Sequence, residues 1–293
     1  MTIDLKAAAS FLAGHGRLLD RRRFEFLFGR VAPDAVLDAV DAYRNPDGGY
    51  GWGLEPDLRA PESQPGGALH ALEVFAEVGP TPRAASVCDW LAGVSLPDGG
   101  VPFAVPVADP AACAPFWVQA DPQVSSLQST AFIAEVANRA AARDPQVAGH
   151  PWLAAATRYC FDAIAALDAA PHAIVLRFAV GFLDAVYESD AEAGPLLEKL
   201  GSFIPANGIV PVAGGAGGES MRPLDFAPLP DRPVRRLFST EVIDGDLRRL
   251  ADGQQDDGGW RVDFDSYSPA AALEWRGYVT FGAVSLLRAN GVI

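Results

Sequence analysis

Cysteine, histidine and basic charge are all scarce in this chain, and long apolar runs are missing. The 293 residues hold three cysteines, Cys88, Cys113 and Cys160, odd in number and far apart. That excludes a disulfide framework and suits a reducing compartment. The four histidines, His15, His70, His150 and His172, show no metal-ligand spacing. With 23 Lys and Arg against 37 Asp and Glu, the net charge is −14. Nucleic-acid binding, which depends on neutralising phosphates, is disfavoured. Arg21-Arg22-Arg23 and Arg232 with Arg235-Arg236 read as solvated charge at helix ends. No apolar run approaches the roughly 18 residues of a membrane span, so no integral membrane segment is expected. The start, Met1 to Lys6, has no basic region followed by an apolar stretch. The expectation is a cytoplasmic protein.

What the chain has instead is a recurring turn. Asp47-Gly48-Gly49-Tyr50, Asp98-Gly99-Gly100-Val101 and Asp257-Gly258-Gly259-Trp260 share one pattern, and Asn207-Gly208-Ile209-Val210 is a degenerate copy. A period of about 50 residues marks repeated supersecondary units, of which about six fit the chain. The gap between the second and fourth copies predicts a further turn near Asp144-Pro145 to Pro151, without the glycine pair.

Between the turns, apolar residues recur at helical spacing. Val36, Leu37, Val40 and Tyr43 fall on one face of 34–43, and Leu69, Leu72, Val74, Phe75 and Val78 mark 65–78. The same reasoning predicts helices over 3–13, 17–28, 82–94, 123–142, 152–167, 172–188, 191–204, 240–252 and 269–289. No segment alternates long enough to demand a sheet. Some helices, such as 171–180, are apolar nearly all round and must be covered on every side. The expected fold is therefore all-α: an α/α toroid of two concentric helical rings, built from about six helical hairpins, in a single domain over 1–293. Residues 205–233, with the run Gly214 to Gly218 and six prolines, are expected to form an irregular surface loop, of the length that often serves as a lid or rim element.

The turns carry a family resemblance. Gln254-Gln255-Asp256-Asp257-Gly258-Gly259-Trp260 resembles the QW repeat of squalene–hopene cyclases and other class II terpenoid cyclases. Gly48-Gly49-Tyr50-Gly51-Trp52-Gly53, continuing to Pro65-Gly66-Gly67-Ala68-Leu69-His70, resembles the GGFGG-type repeat of protein prenyltransferase β subunits. Both families are α6–α6 toroids, so the resemblance implies the fold already expected. It implies an apolar, isoprenoid-type substrate in a central aromatic-lined cavity. The families' own motifs are absent: no Asp-x-Asp-Asp, no Asp-x-Cys, no Asp-Asp-x-x-Asp/Glu. The nearest string is Asp263-Phe264-Asp265.

Candidate site residues come from charged loops and helix positions that a plain connector does not need. Glu55 and Asp57 flank Pro56, and a carboxylate pair held beside an aromatic cavity can serve as general acid and base. Together with Asp263 and Asp265 they are the candidate catalytic acids. Arg59 either pins Glu55 or Asp57 or orients an anionic group. Arg276 and Glu274, in an apolar helix, either form inter-helix salt bridges or line the cavity. Trp52, His70, Asp121 and Tyr278 complete the substrate-binding candidates, although a lone histidine on an apolar helix is more often a satisfied buried one. No cofactor or metal is predicted, except Mg2+ if the substrate carries a diphosphate. Two other classes remain open: a carbohydrate-active enzyme on a similar α/α barrel, and a non-catalytic toroid that binds a ligand or partner.

Overall fold

The computed structural model describes residues 3–293, and it is all-α in its main elements. The helices are α1 (Leu5–Gly14), α2 (Leu18–Leu27), α3 (Pro33–Asp41), α4 (Pro65–Val78), α5 (Pro82–Val94), α6 (Pro115–Val118) and α7 (Leu127–Ala141). They continue with α8 (Pro145–Ala148), α9 (Pro151–Ala165), α10 (Ala173–Val186), α11 (Ala193–Gly201), α12 (Pro223–Phe226), α13 (Thr240–Asp252) and α14 (Pro269–Ala289). Their starts are set locally. Asp4, Ser126, Ser239 and Ser268 accept backbone N–H bonds at N-caps, and α4, α5, α9 and α14 carry proline in the first turn, where its missing N–H costs nothing. No helix among the described residues is long and apolar enough to cross a membrane.

All eleven predicted helices are present, and the differences are informative. The segment predicted from 123 becomes helical only at Leu127, because the residues before it lie extended over a turn. Residues 205–233 are less irregular than expected. Strand β1 (Val210–Pro211) pairs antiparallel with β2 (Ser220–Met221), α12 follows, and a 3-10 turn spans Pro233–Leu237. Glu219 closes the glycine tip by accepting the Ala216 N–H at 2.9 Å.

The chain divides into two compact units. One is continuous, Val40–Phe203. The other is split in sequence, Met1–Ala39 with Ile204–Ile293. In the continuous unit α4 packs on α7, and α7 on α10 and α9. Its core includes Tyr50, Leu72, Phe75, Leu91, Phe161 and Phe182, with Tyr50–Phe75 and Phe161–Phe182 meeting edge to face. In the split unit, one cluster joins Ala8 and Leu12 of α1, Phe24 of α2, Ala251 of α13, Trp260, and Phe281, Val284 and Leu287 of α14. Each large side chain buried there stabilises by about 1.5–3 kcal/mol.

The repeated turn is one structure used several times. In each full copy the aspartate accepts the N–H of the second glycine: Asp47 from Gly49 (2.9 Å), Asp98 from Gly100 (3.1 Å), Asp257 from Gly259 (3.1 Å). The first glycine has φ of 90–91° in all three, a region that L side chains rarely adopt. Each turn presses on a helix. A Cβ on Gly48 would lie 3.1 Å from Ser86 O of α5, one on Gly99 2.7 Å from Ala155 O of α9, and one on Gly258 would overlap the backbone of Ala7 of α1. Four residues further along each of those helices an aromatic ring sits under the second glycine: Trp90, Tyr159 and Phe11. Both glycines are therefore contact requirements.

The degenerate copy keeps the Asx bond, Ile209 N–H to Asn207 at 3.1 Å, and the positive φ at Gly208. The turn expected near 144–151 is a different feature. Asp144 does accept the Gln146 N–H (3.0 Å), but it starts α8 between α7 and α9, and its other oxygen takes the Thr81 N–H (3.2 Å). By element order the vacant copy is the α9–α10 connection at 166–172, which has no glycine. Its predicted position is wrong because the connections after the turns differ in length, so equal spacing does not hold.

Candidate functional site

The Glu55 loop is held from both sides. The N–H groups of Leu58 and Trp52 close it on Glu55 O (3.0 Å) and Ala60 O (2.7 Å). It is then tied to the segment leading to α6. Ala114 N–H donates to Asp57 O (2.8 Å), Arg59 N–H to Ala112 O (3.3 Å), and Ala108 N–H to a Glu62 carboxylate oxygen (3.1 Å). Gln64 exchanges two 3.0 Å bonds with the Val105 backbone. Leu58, Ala60 and Cys113 form a small apolar cluster beneath, with Val107 and Trp117 packed against it.

This scaffold buries the Glu55 carboxylate and gives each oxygen a partner. One accepts the Asp57 N–H at 3.1 Å, and the other lies 3.1 Å from His70 Nε2. His70 Nδ1 lies 3.0 Å from Glu73, one helical turn further along α4. The imidazole is thus clasped between two carboxylates, with His70 only 4% and Glu55 only 7% exposed. Burial pushes the histidine pKa down. The hydrogen bonds from Glu55 and Glu73 and their negative charges outweigh it and hold His70 up at about 9, so the ring is cationic at neutral pH. The stem of Glu55 rests on Gly66 of α4, and the indole edge of Trp117 meets the same glycine. Trp117 stacks on Phe103 at 4.3 Å and touches the exposed Phe116 at 5.5 Å. Its Nε1–H is buried with no acceptor. An acid, a cationic imidazole and an aromatic stack with one unused donor therefore adjoin.

The other candidates lie as follows. Asp57 is buried beside Glu55. Arg59 is half-buried and its backbone closes the loop. Trp52 is 58% exposed, with φ of 56°, the only non-glycine residue with positive φ among those described, and its Nε1–H donates to Asn45 Oδ1 at 2.8 Å. Asp121 is exposed and accepts the Gln123 N–H (2.9 Å) as a turn-former. These four, with Glu55 and His70, belong to the continuous unit.

Asp263, Asp265, Glu274, Arg276 and Tyr278 belong to the split unit. Both aspartates are exposed, and Glu274 is half-buried. Of the two roles weighed for Arg276, the structure contains the salt bridge. Its guanidinium reaches both Asp257 oxygens (2.8 and 2.9 Å), donates to Trp260 O (3.3 Å) and lies 4.5 Å from the centre of the Phe11 ring. The bond holds the Asp257 carboxyl below its ordinary value despite the opposing effect of partial desolvation. Tyr278 packs edge-on against Trp275 at 5.5 Å, with Arg23 above it at 5.7 Å. Trp260 is buried and donates to Leu250 O at 2.7 Å.

Sequence reasoning missed Glu73 as part of the Glu55 site. The i,i+3 spacing of His70 and Glu73 was a readable signal. It also missed Glu135 of α7, buried against Gly181 of α10, with one oxygen paired to Arg139 (2.6 Å) and the other without a partner. No group of three or more His, Cys, Asp or Glu side chains among the described residues is placed to hold a metal ion. No known protein family and no curated protein matches this chain.

Proposed function

We propose that the chain is a toroid of the terpenoid cyclase and protein prenyltransferase kind that takes an apolar, isoprenoid-type molecule, with Glu55 and His70 as its proton-handling pair. Each Gly-Gly turn docks on the helix after its own hairpin, and the last, Gly258-Gly259, docks back on the first helix, α1. The chemistry rests on one observation: the His70 imidazole is clasped between the buried Glu55 and the half-buried Glu73 carboxylates, in the scaffold that also holds the Trp117–Phe103 stack. Protonation of an alkene or of a leaving oxygen needs a desolvated acid, and aromatic faces stabilise the cation that results. The His70 Nε2 proton passes to Glu55, which leaves a neutral imidazole and makes Glu55 the acid that protonates the substrate, while Glu73 goes on accepting the Nδ1–H and orients the ring to be reprotonated. A substrate bearing a diphosphate would bring Mg2+ with it.

A second reading, a ligand-holding toroid without turnover, is favoured by the full pairing of the Glu55 oxygens. Native mass spectrometry of the protein purified from cells, followed by organic extraction, separates the two. The expected result is a co-purified apolar molecule that Glu55→Gln with Asp57→Asn releases. If wild type carries a molecule that the variant retains unchanged, the Glu55 loop is not the site. If wild type carries nothing and prenyl diphosphates leave its Tm unmoved, the isoprenoid reading fails.

A further inference from the structure

The Glu55 scaffold is closely hydrogen-bonded, yet it leaves one donor and one acceptor unused. Glu55 is engaged through both carboxylate oxygens, and Gln64 through both ends of its amide. The Trp117 Nε1–H is buried with no acceptor among the described residues. An unpaired buried donor is costly, because water would have bonded it in the unfolded chain. Phenylalanine at position 117 could stack on Phe103 as well and would leave no donor to satisfy. The N–H is what tryptophan adds at this position.

Gly66 brings this donor close to the acid. A Cβ there would lie 3.4 Å from the Glu55 stem and 3.6 Å from Trp117 Cη2, so carboxylate stem and indole meet over one glycine of α4. The aromatic group leads outward, with Phe103 half-buried and Phe116 exposed. The unused acceptor belongs to Glu62. One of its carboxylate oxygens takes the Ala108 N–H at 3.1 Å, and the other is buried with no partner among the described residues. Trp117 and Glu62 are both near Cys113. Trp117 packs on its apolar cluster, and burial raises the thiol pKa with the Glu62 charge adding to the rise.

Resting on the isoprenoid reading above, we propose that the molecule taken at the Glu55 site ends in a hydroxyl held by Trp117 Nε1–H, so that the ligand is a prenyl alcohol. A hydroxyl accepts and donates, which matches an unused indole N–H and an unused carboxylate oxygen. A hydrocarbon would leave both unpaired. A diphosphate would meet the carboxylates of Glu55, Asp57, Glu62 and Glu73 against the positive charges of His70 and Arg59 alone, and like charge disfavours it.

The test is calorimetric titration of the whole protein, and of Trp117→Phe, with three ligands: farnesol, the hydrocarbon of the same skeleton without the hydroxyl, and farnesyl diphosphate with Mg2+. Wild type is expected to bind farnesol about tenfold or more tightly than the hydrocarbon, and Trp117→Phe to erase that preference. In wild type the Trp117 indole N–H resonance, followed by NMR, is expected to move downfield with farnesol and to stay in place with the hydrocarbon. That second readout does not depend on how the variant folds. Equal affinity for farnesol and the hydrocarbon, a preference that Trp117→Phe retains, an unmoved resonance, or tightest binding of the diphosphate each overturns the alcohol and leaves the isoprenoid reading in place. Binding of none of the three overturns both.

Discussion

The clasp on His70 fixes a pH dependence that can be measured. A histidine with an ordinary pKa of 6.5, raised to about 9 by folding, stabilises the native state by the free energy of that difference. Because the folded pKa is the higher one, the contribution is fully present below pH 6.5 and is lost as pH rises through 9. One pKa unit corresponds to about 1.4 kcal/mol, so moving from pH 6 to pH 9.5 removes roughly 3 kcal/mol. For a chain of this size that lowers Tm by about 5–10 °C. Other groups titrate in the same window, so the quantity to read is a difference. Urea unfolding of wild type is compared at both pH values with His70→Gln, which keeps a hydrogen-bonding amide but cannot be charged. Wild type is expected to lose roughly 3 kcal/mol more than the variant over this range. Glu73→Gln removes one of the two carboxylates and is expected to shrink that difference. The histidine ring protons followed by NMR give the pKa directly. A His70 pKa at or below 6.5 in the folded protein refutes the clasp and removes the proton source from the proposed mechanism.

Gly99→Ala places a Cβ 2.7 Å from Ala155 O at a φ of 90° and is expected to cost about 2–4 kcal/mol by denaturation. Gly93→Ala in α5 has open space around it and is expected to gain roughly 0.5 kcal/mol; equal effects of the two would dismiss the docking argument. Arg276→Ala removes a partly exposed bidentate pair and a ring contact, and a loss of about 1 kcal/mol in the same assay is anticipated. All three cysteines are free and buried. Burial raises the thiol pKa of each, Cys88 to about 12, and for Cys113 the nearby carboxylates of Glu62 and Asp109 add to the rise. Mass spectrometry after iodoacetamide at pH 8 is expected to show no native labelling and three adducts after unfolding; native labelling of Cys160 would mean that its helix opens readily.

The parts of this molecule that were legible in the sequence are those that chemistry forces locally. Gly48, Gly99 and Gly258 announce their turns because no other residue tolerates both the positive φ and the helix beneath. The helices show through their 3-4 apolar spacing and their Ser, Asp and Pro starts. Connection length is not forced in this way, and the vacant copy was therefore sought at 144–151 instead of 166–172. The start of α7 is hidden for a related reason: Gln123 belongs to a turn and Ser125 and Ser126 lie on the Gly99-Gly100 turn, a tertiary contact. Glu55 and His70 stand 15 residues apart on a loop and a helix, and no periodicity links them; only the folded loop does. For Arg276, sequence could weigh two roles equally, since its partner Asp257 comes from a turn that the α14 pattern does not mention.

The seam between α1 and the Gly258-Gly259 turn also governs how the protein can be made. Asp4 and Gln254 exchange two hydrogen bonds of 2.9 Å across 250 residues, and the Gly258-Gly259 turn is the surface on which Ala7 and Phe11 of α1 rest. During synthesis α1 leaves the ribosome long before its bed, which is encoded some 250 residues further along the message. Until then its Phe11 face has nothing to lie on, which makes it a handle for chaperones and for degradation. A ribosome that stalls before Gln254 releases a chain in which the Phe11 face of α1 is still uncovered.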